Sequence, residues 1–182
     1  MEIETITAKA LYDKKLRPVS FVVRDLLPQG VHIFAGPPKI GKSWLLLQLA
    51  LAVASGKPLW DLETEQGTVL SLCLEDTESR LQQRLYELTD EPPDNLYLAT
   101  FSQPLTGGLC DQLTEFLDAN PDTNLVIIDT LQKVRGSGGD GNLYASDYSF
   151  GNTSAKAEVG GQSPQNDVFC TSSCFLHCNV IL

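Results

Sequence analysis

Apolar positions fall into two alternating kinds of run. Short, nearly continuous apolar stretches occupy residues 31–35, 68–74, 95–100 and 125–129. Such runs are the signature of buried strands. Helically spaced stretches lie between them. Residues 44–54 are apolar almost all round, which predicts a helix buried on most sides. Its stop is Ser55-Gly56-Lys57-Pro58, a glycine able to turn left-handed and a proline that cannot continue a helix. From Thr77 onward, Leu81, Leu85 and Leu88 share one helical face. Leu109, Leu113, Phe116 and Leu117 share another, broken by Asn120-Pro121-Asp122. Strand and helix alternating in this way predict an α/β fold, a central mostly parallel sheet flanked by helices. Residues 1–30 read as a lead-in: a short helix at 8–15, an edge strand at 20–24 and a turn at 26–30.

Composition narrows the class. A chain of 182 residues with 42% apolar content suits one domain with a sizeable core. A net charge of −10 argues against a surface-wide basic footprint for nucleic acid, though not against a local basic groove. No run approaches the ~18 apolar residues of a membrane span. The N-terminus lacks the basic and apolar regions of a signal peptide. An odd cysteine count, five, fits a reducing compartment, so a cytoplasmic location is expected.

The chemistry centres on Gly36-Pro37-Pro38-Lys39-Ile40-Gly41-Lys42-Ser43, two glycines separated by four residues and followed by Lys-Ser. A strand precedes it, and a helix beginning near Trp44 follows. That context is the one a phosphate-binding P-loop requires. Glycines let successive N–H groups turn toward phosphate oxygens, and the helix N-terminus adds its positive dipole end. Lys42 can reach the β- and γ-phosphates of ATP, and the Ser43 hydroxyl can bind Mg²⁺. The loop residues Gly36 to Ser43, with Trp44, are therefore the predicted nucleotide-binding set. A plain turn between a core strand and a core helix is the bland alternative, and the complete pattern with both flanks disfavours it.

Two strand ends carry acids. Residues 125–128 are apolar and end in Asp129, the Walker B pattern, about ninety residues after the P-loop. There Asp129 can hold the Mg²⁺ shell through water. Glu75 and Asp76 stand at the end of the 68–74 strand. In open parallel sheets ligands bind at such carboxyl ends. The same acids also suit the first turn of the following helix, and the pattern alone does not choose between the two readings.

The motifs in order resemble the RepA-type AAA proteins, RecA-fold ATPases related to hexameric replicative helicases. The resemblance is carried by Leu27-Pro28-Gln29-Gly30, the P-loop through Leu45, Leu74-Glu75-Asp76-Thr77-Glu78, Arg80 to Leu85, and Val126 to Arg135. It covers about residues 5–148. It implies a RecA-like core over residues 1–148 and Mg²⁺-dependent ATP hydrolysis. It further implies Glu75 as the group that polarises the attacking water, a homo-oligomeric (hexameric) ring, and single-stranded DNA as a partner. Lys133 and Arg135 are arginine-finger candidates by charge only. A small-molecule kinase would need an acceptor pocket and an Arg-rich lid, and the sequence offers neither. A non-catalytic nucleotide-binding fragment is the other alternative.

After about Tyr148 the resemblance stops. Residues 130–148 are polar and glycine-rich, as a mobile loop would be. Residues 149–182 form an atypical tail, expected to be disordered or to come from a frameshifted or truncated frame. Cys170, Cys174, His177 and Cys178 lie there, but their spacing is not a usual zinc pattern. The resemblance implies sheet order 5-1-4-3-2, with both neighbours of the P-loop strand arising after Asp129. Missing C-terminal strands would leave that strand without ladder partners, at about 1–3 kcal/mol per buried unpaired group. Val168 to Thr171 and Cys174 to Leu182 are makeshift strands, one of which could pair beside it, but they are short and lack a crossover helix between them. A partly molten chain with little ATP turnover is the resulting expectation.

Overall fold

The computed structural model describes residues 5–15 and 19–135, and the backbone of 179–181. After a short helix α1 (Ala8–Asp13) come β1 (Phe21–Val23), β2 (Leu27–Pro28) and β3 (Val31–His32). Then follow α2 (Lys42–Ser55), β4 (Thr68–Cys73), α3 (Glu78–Leu88) and β5 (Leu96–Ala99). A 3₁₀ turn (Leu105–Gly107) leads into α4 (Leu109–Ala119), β6 (Thr123–Asp129), α5 (Leu131–Val134) and β7 (Asn179–Ile181). Five strands make one parallel sheet in the order β3-β7-β6-β4-β5.

The centre of the sheet shows why the apolar runs read as continuous. All six residues of β4 are buried. The pleat then sorts alternate residues onto two cores. Val69 of β4 packs with Leu125 and Ile127 of β6 against Leu46, Leu49, Ala50 and Val53 of α2. Leu70 and Leu72 pack with Val126 and Ile128 against Leu109 and Leu113 of α4. Fully burying one such aliphatic side chain contributes roughly 1.5–3 kcal/mol, so these two layers dominate the stability. Polar β4 residues are partnered: Thr68 donates to Asp122 Oδ2 at 2.8 Å.

Helix α2 is buried on most sides, as its pattern predicts. It ends where expected: Gly56 takes φ 64°. Its N–H reaches Val53 O at 3.2 Å while Lys57 N–H reaches Ala52 O at 3.0 Å. This paired closure satisfies the last carbonyls of the helix. Asn95 extends the tie by donating to Ala54 O and Gly67 O, both at 3.0 Å.

Four expectations change. The 20–24 strand and the 26–30 turn form an antiparallel hairpin of β1 and β2, outside the main sheet. That hairpin places Val22, Val23 and Leu27 on the α2 core. The P-loop strand is two residues long rather than five, because the chain from Ile33 onward leaves the ladder. It does not lack both neighbours: β7 lies between β3 and β6, with Val31 opposite Val180 and Val126 also opposite Val180. So the C-terminal strands are not all missing; this one takes the slot between the P-loop strand and the Asp129 strand that the resemblance assigns to strand 4. Finally, the 130–148 stretch opens with the helical turn α5, held by burial of Val134. The rest of that stretch and the cysteine-rich part of the tail lie outside the described residues.

Candidate functional site

The P-loop connects β3 to α2. Gly41 adopts φ 98° and is the N-cap of α2, and no side chain caps that end. The first-turn amides are thus left for another acceptor, the arrangement that suits an anion. Lys39 also takes a positive φ, 63°. Lys42 folds back over the loop, donating from Nζ to Gly36 O at 2.7 Å and to Pro37 O at 2.9 Å. Its charge therefore sits at the mouth of the helix N-terminus. The Pro37, Pro38, Lys39 and Ile40 side chains are exposed.

Ser43 and Asp129 meet in one narrow cleft, whose walls also include Cys73, Asp76 and Arg84. Register explains it. Cys73 stands opposite Asp129 across the β4–β6 pair. Just past the pair, Leu74 N–H donates to Asp129 O at 2.7 Å. Both strands thus end at the same level, beside the first turn of α2.

Glu75 and Asp76 part company there. Glu75 is exposed and is not among the residues lining the cleft. The Asp76 side chain is only 7% exposed and is ion-paired with Arg84, itself 13% exposed. Arg80 approaches the other carboxylate oxygen at 3.4 Å from solvent. Arg84 also lies over the Trp44 ring, 5.3 Å from its centroid. Trp44 therefore faces α3 through this contact. Burial pushes the Cys73 thiol above its ordinary value, and the charges of Asp129 and Asp76 add to that, opposed by Ser71 and Arg84.

The sequence gives Arg84 no role and leaves Asp76 with two readings, a strand-end acid near the ligand and a helix-start acid. One signal was available: Asp76, Arg80 and Arg84 are spaced four apart, which on a helix brings them to one side. Among the described residues no cluster of His, Cys, Asp and Glu is built to hold a metal by itself. The Ser43 hydroxyl and the Asp129 carboxylate are hard oxygen donors, which fit Mg²⁺ shared with a phosphate rather than a protein-only cage. No described helix is long and apolar enough to cross a membrane. Compared with known proteins, residues 2–151 match the family model described as an AAA domain. No curated protein matches the chain.

Proposed function

The chain belongs to the AAA-domain family, an ATPase-type nucleotide-binding family, and from that premise we propose that it binds Mg²⁺-ATP on the 36–43 loop, where Ser43 opens onto this cleft, and hydrolyses it. The observation that carries the reading is the meeting of Ser43 and Asp129 in one cleft, beside the uncapped N-terminus of α2. In the proposal the backbone N–H groups of Gly36 and of Lys39 to Trp44, with the Lys42 ammonium, bind the phosphates, and Pro37 and Pro38 shape the loop without an N–H to offer. Ser43 ligates Mg²⁺ directly, and Asp129 holds its water shell. When bound, the ion neutralises charge on the phosphate oxygens. Glu75 takes up or orients the proton of the attacking water, a role worth about 10²–10⁴-fold.

We further propose a RepA-like helicase or DNA-metabolism role in the cytoplasm. In it several copies form a ring and single-stranded DNA is the polymer engaged. With a net charge of −10 such a contact needs a local basic groove, on one copy or assembled between copies. A second reading, nucleotide binding without turnover, draws on the two-residue length of β3 and the exposure of Glu75. Phosphate release from ATP by the purified chain separates them. The proposal expects release that needs Mg²⁺ and rises with single-stranded DNA. ATP binding with no release would favour the second reading.

A further inference from the structure

We infer that Asp76 is a positioning residue, which through Arg84 and Trp44 ties the turn carrying Glu75 to the first turn of the P-loop helix. This rests on the ATPase reading above and adds to it a device that no motif specifies. Three observations converge on it.

The first is the turn itself. Asp76 N–H donates to Cys73 O at 3.1 Å, and Thr77 caps α3 by accepting from Arg80 N–H at 3.4 Å. With Leu74 N–H donating to Asp129 O at 2.7 Å on its other side, Glu75 sits between two anchored neighbours, although its own side chain is exposed. The second is burial. A carboxylate 7% exposed in the wall of the cleft is far costlier to place than a helix-start acid in solvent, and it is stable there because Arg84 is bonded to it. The third is what lies on the other side of Arg84. Its guanidinium rests over Trp44, the residue that follows Ser43. One planar cation thus joins the end of β4 to the start of α2.

The consequence is mechanical. A movement of the first turn of α2 as phosphates bind carries Trp44 with it. Arg84 follows the ring, Asp76 follows Arg84, and the peptide between Asp76 and Glu75 turns. The link thereby sets the position of Glu75 without touching substrate. Misplacing a reacting group by about 1 Å can cost up to ~100-fold in rate, so a loosened link should lower turnover and leave binding intact.

The test uses the full chain in a Trp60→Phe background, so that Trp44 is the only tryptophan. Asp76→Asn, Arg84→Lys and the double variant Asp76→Asn/Arg84→Lys are compared with this parent, each first shown to melt cooperatively. Asp76→Asn is expected to keep Mg²⁺-ATP affinity within about threefold and to lower single-turnover hydrolysis about tenfold or more. The double variant should be no slower than the slower single variant, because one link is cut either way. Without nucleotide, acrylamide quenching of Trp44 should rise about twofold in Arg84→Lys, whose compact ammonium covers the ring less well. Hydrolysis within threefold of the parent in Asp76→Asn, fully multiplicative losses in the double variant, or unchanged quenching would each overturn the inference. If Asp76→Asn does not fold, Arg84→Lys carries the same binding and rate comparison. A parent that binds no Mg²⁺-ATP overturns the functional reading and the positioning role with it. Quenching alone then still tells whether the link exists.

Discussion

Strands β4 and β6 end at the cleft and strand β3 leads into the loop that reaches it, yet they are built in opposite ways. The two central strands have a neighbour on each side and a helix over each face, and Val69, Leu125, Val126 and Ile127 have no exposed surface. Strand β3 has two residues and one described neighbour, with Val31 39% exposed and Ile33, just past its end, 63% exposed. So β4 and β6, with Asp129 at the end of β6, are held by packing, whereas the 73–76 turn is held by hydrogen bonds and the Asp76–Arg84 pair, and the 36–43 loop by backbone conformation and its own hydrogen bonds. The proposed nucleotide site thus has a rigid wall in the two strands and adaptable segments around it. Loops that close on ligands come from the less stable parts of a fold.

The largest expected effect probes the turn beside the rigid wall. Glu75→Gln should keep ATP binding and reduce hydrolysis about 10²–10⁴-fold, measured in single turnover. Asp76→Asn should be milder in rate but lower the melting temperature, since it breaks a buried ion pair, whereas exposed Glu75 should barely affect it. Equal rate losses in the two would place the water-orienting role wrongly by one residue.

Next comes the contrast in packing. Ile127→Ala should cost about 2–5 kcal/mol by denaturant unfolding, and Val31→Ala below about 1 kcal/mol. Similar costs would erase the distinction between rigid and adaptable segments.

A smaller effect separates the two loop glycines. A Cβ at Gly41 would meet nothing within 4 Å, so Gly41→Ala is disfavoured by φ 98° alone, at about 1–2 kcal/mol. At Gly36 a Cβ would make ordinary contacts at 3.8 Å to Ile40 and Lys42, and Gly36→Ala should leave stability nearly unchanged. The two melting curves check this.

The smallest effect is a pH slope. Burial raises the Cys73 pKa above its ordinary 9.0, so the folded state keeps this proton to higher pH than the unfolded chain. The resulting stability is complete below about pH 9 and is lost as pH rises from there toward the folded-state value. Cys73→Ala should flatten the alkaline fall of the unfolding free energy. An unchanged slope would mean that the thiol is hydrated.

Much of this was legible in the sequence because it depends on local pattern. Runs such as 68–74 and 125–129 can be buried only as central strands, Gly56-Lys57-Pro58 ends a helix by its own conformational limits, and the P-loop spells out its residues in order. What was not legible depends on partners distant in the chain. Nothing between Val31 and Ala35 says that the ladder stops after His32. A strand within 174–182 beside the P-loop strand was legible as a makeshift pairing; that residues 179–181 also pair with β6, and so fill the slot between the two strands, was not. Asp76 reads as either a strand-end or a helix-start acid until Arg84 is brought over Trp44, and then it is a buried anion. The exposure of Glu75 was likewise invisible, because the end of a buried strand does not reveal which of two adjacent acids turns inward.

The central claim, that Gly36 to Ser43 is a working phosphate site, is tested most directly by calorimetric titration of Mg²⁺-ATP into the full chain and into Lys42→Ala. Lys42 already places its ammonium on the loop carbonyls of Gly36 and Pro37, so its removal deletes a charge from the site without touching the core. The account predicts saturable binding by the parent, weakened at least tenfold in the variant, a loss of about 1.4 kcal/mol or more. Equal affinity in the two proteins, or no binding by the parent, would contradict it.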